Sequence, residues 1–467
     1  MRIGAIDQGT TSTRILVVDT VTGEMEIAAS RTHTTRHPQP GWVEQDPLEI
    51  LANIRACIEA AGPLDALGLA NQGESCLAWD AETGEPLSPV IVWQDSRTAS
   101  ELAAMDAARA AQVTRLSSLP LDAYFSASKL GWILRNVAAA GAANAAGRLR
   151  LGTTDAFYLE RLTGVFGTDR ATASRTSLMN FATGKWDAAL CAIFGVPIDC
   201  LPPIRPNAGD FGTVDGVPLR ASIVDQQAAL YGHGCRAPGD AKITFGTGAF
   251  VLALTDGPVA PEAAGGLLPT VAWDLGQGPR HALDGGVYDV GSAIEWAIRA
   301  GFAGSVADFQ TFEAAPAIDR GLVFVPAFSG LAAPTWDRTA APLILGFSPD
   351  MGRADLCQAL LEGIALSTAA VVEAAASNVT LRAPVSIDGG VSRSPYFAQF
   401  LADCLGRDVL VRSFPEQTAI GVAMLAASGA RFPEAASAGT IVRARGSEGE
   451  ARRRRYADAL ERARHWR

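Results

Sequence analysis

The sequence predicts an α/β protein built from two related domains, and three observations lead to this prediction. The chain has 467 residues, more than a single hydrophobic core usually organises. Its first half alternates short apolar runs with helical patterns, as layered α/β domains do. Two stretches far apart in the chain also follow one plan of strand, small polar turn and strand. We therefore place one domain at residues 1–237 and the other at 238–467.

The duplicated stretch is a hairpin with Gly and Thr at its turn. The first copy passes through Asp7–Thr11, and the second passes through Phe245–Gly248. Gly and Thr let backbone N–H groups and hydroxyls point at one spot, which suits a phosphate. One copy alone would be read as an ordinary β-turn. Two copies imply two related domains that face each other across a nucleotide.

The other elements follow from apolar spacing and from turn residues. Gly and Pro at 234–240 interrupt a helix just before the second hairpin and mark the domain boundary. Ser394 and Pro395 open a late helix as its N-cap and first-turn residue. The remaining predicted elements are helices over 48–61, 101–111, 126–140 and 354–376, and buried strands at 67–70, 90–93, 221–224, 323–326 and 385–387.

Composition excludes several classes of protein. A net charge of −10 without a basic stripe argues against nucleic acid as a partner. The basic run Arg452–Arg455 is read as the solvated face of a terminal helix. No apolar run reaches the roughly 18 residues that span a membrane. We therefore expect small-molecule partners and no membrane, and a homodimer is allowed although the sequence does not fix the quaternary state.

The seven cysteines indicate a reducing compartment. Their number is odd, and their scattered positions show no metal-type spacing. Core thiols therefore fit better than a disulfide framework or a structural metal. The first residues enter a strand at once, so we expect no signal peptide. These features predict a cytoplasmic protein.

Seven blocks along the chain carry a resemblance to one family. They are Asp7–Arg14, Gly41–Pro47, Tyr124–Asn136, Asp225–Leu230, Phe245–Gly248, Pro326–Asp337 and Asp388–Gly390. In this order, and over nearly the whole length, they resemble the FGGY carbohydrate kinases, and within them the glycerol kinase branch. The resemblance implies two ribonuclease H-like, actin-like domains with a cleft between them. It also implies that ATP and a polyol or sugar bind in that cleft.

The resemblance assigns the catalytic and metal roles. Phosphoryl transfer needs positioning, neutralised charge and a base for the attacking hydroxyl. Asp225, between a buried strand and a helix, is implied to be that base, although an Asp there could also cap the helix. Asp7 is implied to organise Mg²⁺ through water, with Asp225 as a second candidate ligand.

Nucleotide contacts are also carried over from the resemblance. Gly291 and Glu295 open a helix near the nucleotide, but a plain helix start and a solvent-facing carboxylate explain them equally well. Ser394 replaces the Asn that is usual near the adenine, so adenine contacts are expected to differ. The implied contact residues are Thr10, Thr11 and Arg14 for the transferred and leaving phosphates, Gly246 and Thr247 for the β- and α-phosphates, and Gly390 for the adenosine.

The implied acceptor pocket departs from the family at one position. The glycerol kinase pattern has an Arg–Glu pair, a Trp, a Tyr, the catalytic Asp and a Phe. Gly73 stands where that pattern has the Arg. The matching residues that are present are Glu74, Trp93, Tyr124, Asp225 and Phe250.

Two acceptors are compatible with the missing Arg. The freed volume favours a longer polyol or a sugar, whose extra hydroxyls Asp95 or Arg97 would meet. Alternatively glycerol still binds, but more weakly, because a lost charge-assisted contact costs about 1.5–3 kcal/mol. A third reading is that Gly73 permits a tight turn while another Arg fills the gap. We favour the larger acceptor at this stage.

Other readings of the sequence are a ketopentose kinase of the xylulose type and an actin-like sugar-sensing regulator. The block Trp42–Glu44 argues against the first. A repressor would need a DNA-binding segment before the first hairpin, which begins at Ile3. The short segment Asp215–Arg220 lacks the insert that binds fructose 1,6-bisphosphate in regulated relatives, so we expect no such inhibition.

Overall fold

The computed structural model describes residues 1–429 and 432–467. Packing divides the chain into two compact units. The first contains residues 1–234, and the segments 269–281 and 416–436 also belong to it. The second contains residues 235–268, 282–415 and 437–467. This division describes packing, and the domain boundary at 237/238 stays a prediction.

Residues 1–234 form fifteen strands and nine helices in the described chain. The strands are β1 (Arg2–Gln8), β2 (Ser12–Asp19), β3 (Met25–Thr32), β4 (Thr35–Arg36), β5 (Glu44–Gln45), β6 (Ala66–Asn71), β7 (Cys76–Asp80), β8 (Val90–Ile91), β9 (Leu149–Thr153), β10 (Thr168–Asp169), β11 (Met179–Asn180), β12 (Lys185–Trp186), β13 (Ile204–Arg205), β14 (Thr213–Val214) and β15 (Val217–Val224). The helices are α1 (Pro47–Ala60), α2 (Ala99–Ala103), α3 (Ala107–Ser117), α4 (Ser126–Asn136), α5 (Ala138–Ala145), α6 (Thr154–Thr163), α7 (Arg170–Ala173), α8 (Ala188–Phe194) and α9 (Asp225–Gly232).

The rest of the described chain adds nine strands and five helices. The strands are β16 (Ala241–Phe245), β17 (Ala249–Thr255), β18 (Leu268–Asp274), β19 (Pro279–Val287), β20 (Val323–Val325), β21 (Leu343–Leu345), β22 (Val385–Gly389), β23 (Val409–Arg412) and β24 (Gly439–Val442). The helices are α10 (Gly291–Arg299), α11 (Arg353–Ala376), α12 (Pro395–Leu405), α13 (Gln417–Ala426) and α14 (Gly449–Ala463).

The main sheet of the first unit has the order β14-β15-β6-β1-β2-β3. The predicted first hairpin is confirmed, because β1 and β2 pair antiparallel around a turn at residues 9–11. β6 runs parallel to both β1 and β15. In this register Gln8, Asn71 and Val224 lie side by side, so three parallel strands end at the same edge. That edge carries the segments from which the predicted catalytic residues come.

The second unit repeats this arrangement. Its main sheet includes the strands β19-β17-β16-β22-β23-β24, in that order. The predicted second hairpin is confirmed as β16 and β17, which pair antiparallel, and β22 runs parallel to β16. Phe245 pairs with Gly389, so the turn at 246–248 and the segment after Gly389 lie at one edge. The predicted α/β fold with two related units is therefore confirmed.

Two predicted helices are wrong as single elements. The helix predicted over 101–111 is two helices, because the Asp106 side chain accepts from the N–H of Arg109 and starts α3 anew. The helix predicted over 126–140 breaks at Val137, which takes an extended conformation between α4 and α5. β-Branched residues such as Val favour that conformation. Neither break displaces Tyr124 or the start of α4.

The basic run on α14 is only partly a solvated face. The guanidinium of Arg452 pairs with Asp319 at 2.6 Å, and Arg455 donates to the carbonyl of Ile318 at 2.6 Å. Arg454 and Arg455 are exposed, whereas Arg452 and Arg453 are half-buried. The reading of Arg452–Arg455 as a solvated face is therefore confirmed for Arg454 and Arg455 and wrong for Arg452 and Arg453.

Apolar side chains fill the cores of the two units. All seven cysteines are buried and unpaired, as predicted. Among the described residues, one helix, Arg353–Ala376, is long and apolar enough to cross a membrane. About four fifths of its most apolar stretch is buried inside the protein, and Leu360 and Ile364 belong to the core of the second unit. This burial is typical of a core helix.

A buried pair of carboxyl groups lies beneath the first sheet. Asp155 accepts from the hydroxyls of Thr153 and Thr168 at 2.5 and 2.6 Å. Asp169 accepts from the N–H of Thr172 and from the side-chain amide of Asn207, both at 2.8 Å. Burial and then the charge of Asp155 raise the pKa of Asp169 to about 7. Burial also raises the pKa of Asp155, so both carboxyl groups bind a proton more readily than exposed ones do.

This pair predicts a pH-dependent stability. Because the folded-state pKa lies above the unfolded value, the stabilisation is complete in acid and is lost as the pH rises towards 7. We expect the melting temperature to fall by a few degrees between pH 5.5 and 8, since 1 kcal/mol shifts it by about 2–4 °C in domains of this size. Asp155→Asn should make this fall smaller, and the exposed Asp199→Asn should not. An equal fall in all three proteins, measured by scanning calorimetry, would refute the assignment.

Candidate active site

The predicted acceptor and catalytic residues of the first unit cluster at the shared strand edge. The turn after β1 holds Thr10, Gly73 and Glu74 follow β6, and Asp225 follows β15. Neighbouring strands lie about 4.8 Å apart, so the segments after β1 and β15 are separated by about 10 Å with the β6 segment between them. This register brings residues distant in sequence to one edge.

A line of contacts connects the phosphate turn to the acceptor residues. The indole Nε1 of Trp93 donates to the hydroxyl of Thr10 at 3.0 Å. The rings of Trp93 and Tyr124 then meet edge to face, with centroids 5.6 Å apart. Lys129, on α4, donates to the carbonyl of Tyr124 at 2.7 Å. The structure therefore brings together Thr10, Trp93 and Tyr124, which the sequence predicted separately.

Arg175 is a member of this cluster that the sequence reasoning missed. Its Nε donates to Oε1 of Glu74 at 2.6 Å, and its guanidinium carbon lies 6.0 Å from the ring centroid of Tyr124. Both charged side chains are almost fully buried, at 3% and 6% exposure. The sequence could have indicated Arg175 as a candidate, because it stands among small residues after α7 and buried charges are normally paired or functional.

Asp95 and Arg97 do not face the acceptor residues as predicted for a larger substrate. Arg97 is 1% exposed, pairs with Asp95 and Glu44 at 2.8 Å each, and packs over the ring of Trp42 at 3.8 Å. Asp95 also accepts from the N–H of Val43 at 2.6 Å. These groups hold the loop that carries Trp93. The expectation that they meet extra hydroxyls is therefore wrong.

Gly73 is tightly enclosed on its side-chain side. A Cβ at this position would lie 2.8 Å from Cγ2 of Val224, the last residue of β15. Val224 is buried and has a stiff, β-branched side chain. A side chain at position 73 would therefore press on the strand that leads directly into Asp225.

We predict that Gly73→Ala destabilises the protein through this contact. Overpacking by one methyl group typically costs about 1–3 kcal/mol, which should appear as a lower melting temperature. Adding Val224→Ala should restore much of the loss, because it removes the atom that the new Cβ would meet. Thermal melts of both single variants and the double variant test this. Additive losses in the double variant would contradict the contact.

Asp225 is the first residue of α9. Val224 is the N-cap residue, and the Asp225 carboxylate accepts from the N–H of Gln226 at 2.6 Å. A helix N-terminus favours a negative charge, which suits a carboxylate at this position. The position agrees with the predicted strand-to-helix junction. Its role as general base stays a prediction.

Asp7 lies near the end of β1 with an altered proton affinity. Burial raises its pKa to about 6, while Arg14 lowers it and Glu416 raises it. Nη1 of Arg14 donates to both carboxylate oxygens of Glu416, at 2.8 and 2.7 Å. Glu416 precedes α13, the helix that returns to the first unit and packs on α9 and β1. A phosphate role for Arg14 therefore requires that it share or leave Glu416.

The donor chemistry fits Mg²⁺ held largely by water and phosphate. Mg²⁺ usually takes one or two carboxylates and keeps several waters. Asp7 and Asp225 supply carboxylates from the same sheet edge. In the part of the chain that the structure describes, no group of three or more His, Cys, Asp or Glu forms a metal cluster.

The second hairpin presents an exposed turn to a helix N-terminus. Gly246 and Thr247 are exposed, and the carbonyl of Thr247 accepts from the N–H of Val290 at 2.9 Å. Gly291, the first residue of α10, donates its N–H to the carbonyl of Gly246 at 3.1 Å. These bonds use the first N–H groups of α10 and fix the exposed turn beside the helix, and the contact of the turn with phosphates stays a prediction. Glu295 lies on α10 as an exposed side chain.

The predicted adenosine segment follows β22. Gly389 has a φ of +97°, and a Cβ there would lie 2.1 Å from the carbonyl oxygen of Phe245. Gly390 differs, because no atom lies within 4 Å of its Cβ position. Ser394 caps α12 through the N–H of Phe397 and donates to the carbonyl of Phe309 at 2.7 Å. The Ser394 hydroxyl is thus committed to the fold, and its nucleotide contact stays a prediction.

Phe250 belongs to the second unit. It lies on β17, paired with Thr244 of β16, and is half-buried. Its predicted contact with the acceptor stays a prediction, since the other acceptor residues belong to the first unit.

Comparisons with known proteins agree with this geometry. The models for the N- and C-terminal domains of the FGGY family of carbohydrate kinases match residues 2–232 and 241–430. The chain is similar to the glycerol kinases of Rhizorhabdus wittichii, at 41% identity over 91% of this chain and 87% of that one, and of Thermus brockianus, at 40% over 91% and 89%. It is also similar to the crystal structure of Plasmodium falciparum glycerol kinase with ADP, with a TM-score of 0.89 and 28% identity over 99% of this chain and 98% of that one. The chain therefore belongs to the FGGY family of carbohydrate kinases and is an ATP-dependent phosphotransferase.

Proposed function

We propose that this kinase transfers the γ-phosphoryl group of ATP to a hydroxyl of glycerol, through a pocket altered at Gly73. The contacts from Thr10 through Trp93 and Tyr124, with Glu74 at the same edge, support the proposal. They join a phosphate turn to aromatic and carboxylate groups that suit a small polyol. The similarity to glycerol kinases supports the same acceptor.

The residues divide the reaction between them. Glu74 accepts hydrogen bonds from acceptor hydroxyls, and Trp93 and Tyr124 cover the carbon skeleton. Asp225 takes the proton of the attacking hydroxyl, which is the base that phosphoryl transfer requires. Asp7, with Asp225 as the second candidate, would hold Mg²⁺, which neutralises phosphate charge when bound.

Phosphate and nucleoside contacts complete the proposal. The Thr10 and Thr11 turn, and Arg14 once it shares or leaves Glu416, would hold the transferred and leaving phosphates. Gly246 and Thr247 would hold the β- and α-phosphates beside the N-terminus of α10. Gly390 leaves room for a backbone approach to the adenosine, whereas Gly291, Glu295 and Ser394 are weaker candidates for contact.

The acceptor's size rests on three observations in the first unit. Arg97 is held in its own ion-pair network, Val224 closes the side-chain side of Gly73, and a guanidinium already lies at Glu74. These observations support a short polyol. A longer polyol or sugar remains the second candidate, favoured by the guanidinium that position 73 lacks.

Steady-state kinetics with a panel of acceptors test the proposal. ADP release with ATP and Mg²⁺ should be most efficient with glycerol, with kcat/KM at least about tenfold above that for erythritol, ribitol or xylulose. Preference for a four- or five-carbon acceptor would support the second candidate instead. A protein that binds ATP and phosphorylates none of these acceptors would contradict the proposed function and favour a regulator.

A further inference from the structure

We propose that Arg175 supplies the guanidinium that position 73 lacks, and that it holds the Glu74 carboxylate for the hydroxyls of a three-carbon polyol. This inference rests on the proposed function and identifies a positioning residue for its acceptor. It is carried by the contact between the two side chains, by the way both are anchored, and by the closure of the space at Gly73.

The contact itself is short and shielded from water. Arg175 Nε lies 2.6 Å from Glu74 Oε1, and both side chains are more than nine-tenths buried. Buried ion pairs gain little net stability, because removing two charges from water offsets their attraction. A pair of this kind beside Tyr124, a predicted acceptor residue, is better explained by a binding role. Arg175 orients the carboxylate of Glu74, whose oxygens are hydrogen-bond acceptors for hydroxyls.

Both partners are held in place from the backbone. Glu74 has a φ of +57°, a left-handed conformation that costs energy in a residue with a side chain, and its carbonyl accepts from the hydroxyl of Ser126 at 3.0 Å. The Arg175 N–H donates to Thr172 at 3.0 Å. The next carbonyl, that of Thr176, accepts from the N–H of Ala127 at 2.9 Å. The segment with Arg175 and the start of α4, next to Tyr124, are thus tied together.

The geometry also explains why the guanidinium comes from a different element. A Cβ at position 73 would meet Val224 at 2.8 Å, so an arginine there would require Val224 to shift. Arg175 reaches Glu74 from across 101 residues of sequence. Arg175 thus places a positive charge beside the Glu74 carboxylate without a side chain that would press on β15, the strand that precedes Asp225.

Kinetics of Arg175 variants test this inference. Arg175→Gln should raise KM for glycerol about 10- to 100-fold, as expected for one lost charge-assisted contact, and should leave KM for ATP within about twofold. Arg175→Lys should recover part of the loss. Arg170→Gln is the matched control, because Arg170 also forms an ion pair near α7, with Asp274 at 2.7 Å, and should leave KM for glycerol unchanged.

A double-mutant cycle separates positioning from a general effect on folding. If Arg175 acts through Glu74, then Glu74→Gln with Arg175→Gln should raise KM no more than the worse single variant. Additive losses, or an unchanged KM for glycerol beside a lowered melting temperature, would overturn the inference. Should Arg175→Gln not fold, the double variant decides, since a KM for glycerol well above that of Glu74→Gln alone also overturns the inference. If the wild-type protein phosphorylates no polyol, both the proposed function and this inference fail. If the wild-type protein is active on glycerol and Arg175→Gln has the same KM for glycerol, only this inference is refuted.

Discussion

Asp225→Asn should lower kcat by roughly 100- to 10,000-fold, the usual contribution of a general base. The amide keeps the shape of the side chain and an oxygen that can accept from the N–H of Gln226, but it cannot take the proton of the acceptor hydroxyl. Binding of ATP should persist, because the predicted nucleoside contacts lie after β16 and β22. Rapid-quench turnover and ATP titration by calorimetry measure the two properties separately.

The control for this variant is Asp199→Asn, which removes one exposed carboxylate without touching the strand edge. Its kcat should equal that of the wild-type protein. Turnover of Asp225→Asn within about threefold of wild type would remove Asp225 from the role of base, since losing a working base costs at least two powers of ten. Loss of both turnover and folding would instead be seen as a lowered melting temperature.

Substitutions at two adjacent glycines should have different effects, one on stability and the other on ATP binding. Gly389→Ala places a Cβ 2.1 Å from the Phe245 carbonyl oxygen in a residue with a φ of +97°. Strain and overpacking together should cost about 2–5 kcal/mol of unfolding free energy. Gly390→Val meets no protein atom within 4 Å at its Cβ and should melt normally. Its KM for ATP should rise roughly tenfold, or about 1.4 kcal/mol of binding, because the side chain obstructs the proposed adenosine approach.

Thermal melts and ATP kinetics on the two variants check this contrast. Gly257→Ala is the control, since its Cβ also has no neighbour within 4 Å and it lies outside the nucleotide segments. An unchanged KM for ATP in Gly390→Val would contradict the proposal that the adenosine binds beside Gly390. A normal melting temperature in Gly389→Ala would contradict the close approach to Phe245.

The features that the sequence predicted are those that depend on residues close together in the chain. The two Gly-Thr turns and the junction before Asp225 depend on neighbouring residues, so their patterns were visible in short windows of sequence. The contact of Arg175 with Glu74 joins residues 101 apart, and no motif marks it. The closure of Gly73 by Val224 depends on strand register, which the apolar runs alone did not specify.

The sequence also did not predict that α13 packs in the first unit. Its sequence is apolar around most of its circumference, so periodicity could not tell which sheet it would cover. In the structure it packs on α9, β1 and β6 and carries Glu416 to Arg14. The resemblance predicted the phosphate role of Arg14 but not this partner, which lies 402 residues away.

Transfer of a labelled phosphoryl group tests the central claim most directly. The wild-type protein is incubated with Mg²⁺, glycerol and ATP labelled in the γ-phosphate, and the products are separated. The label should appear in glycerol phosphate at the rate of ADP release, and Asp225→Asn should slow its appearance at least about 100-fold. Label found in inorganic phosphate alone, or transferred to a longer polyol in preference to glycerol, would contradict the proposed function.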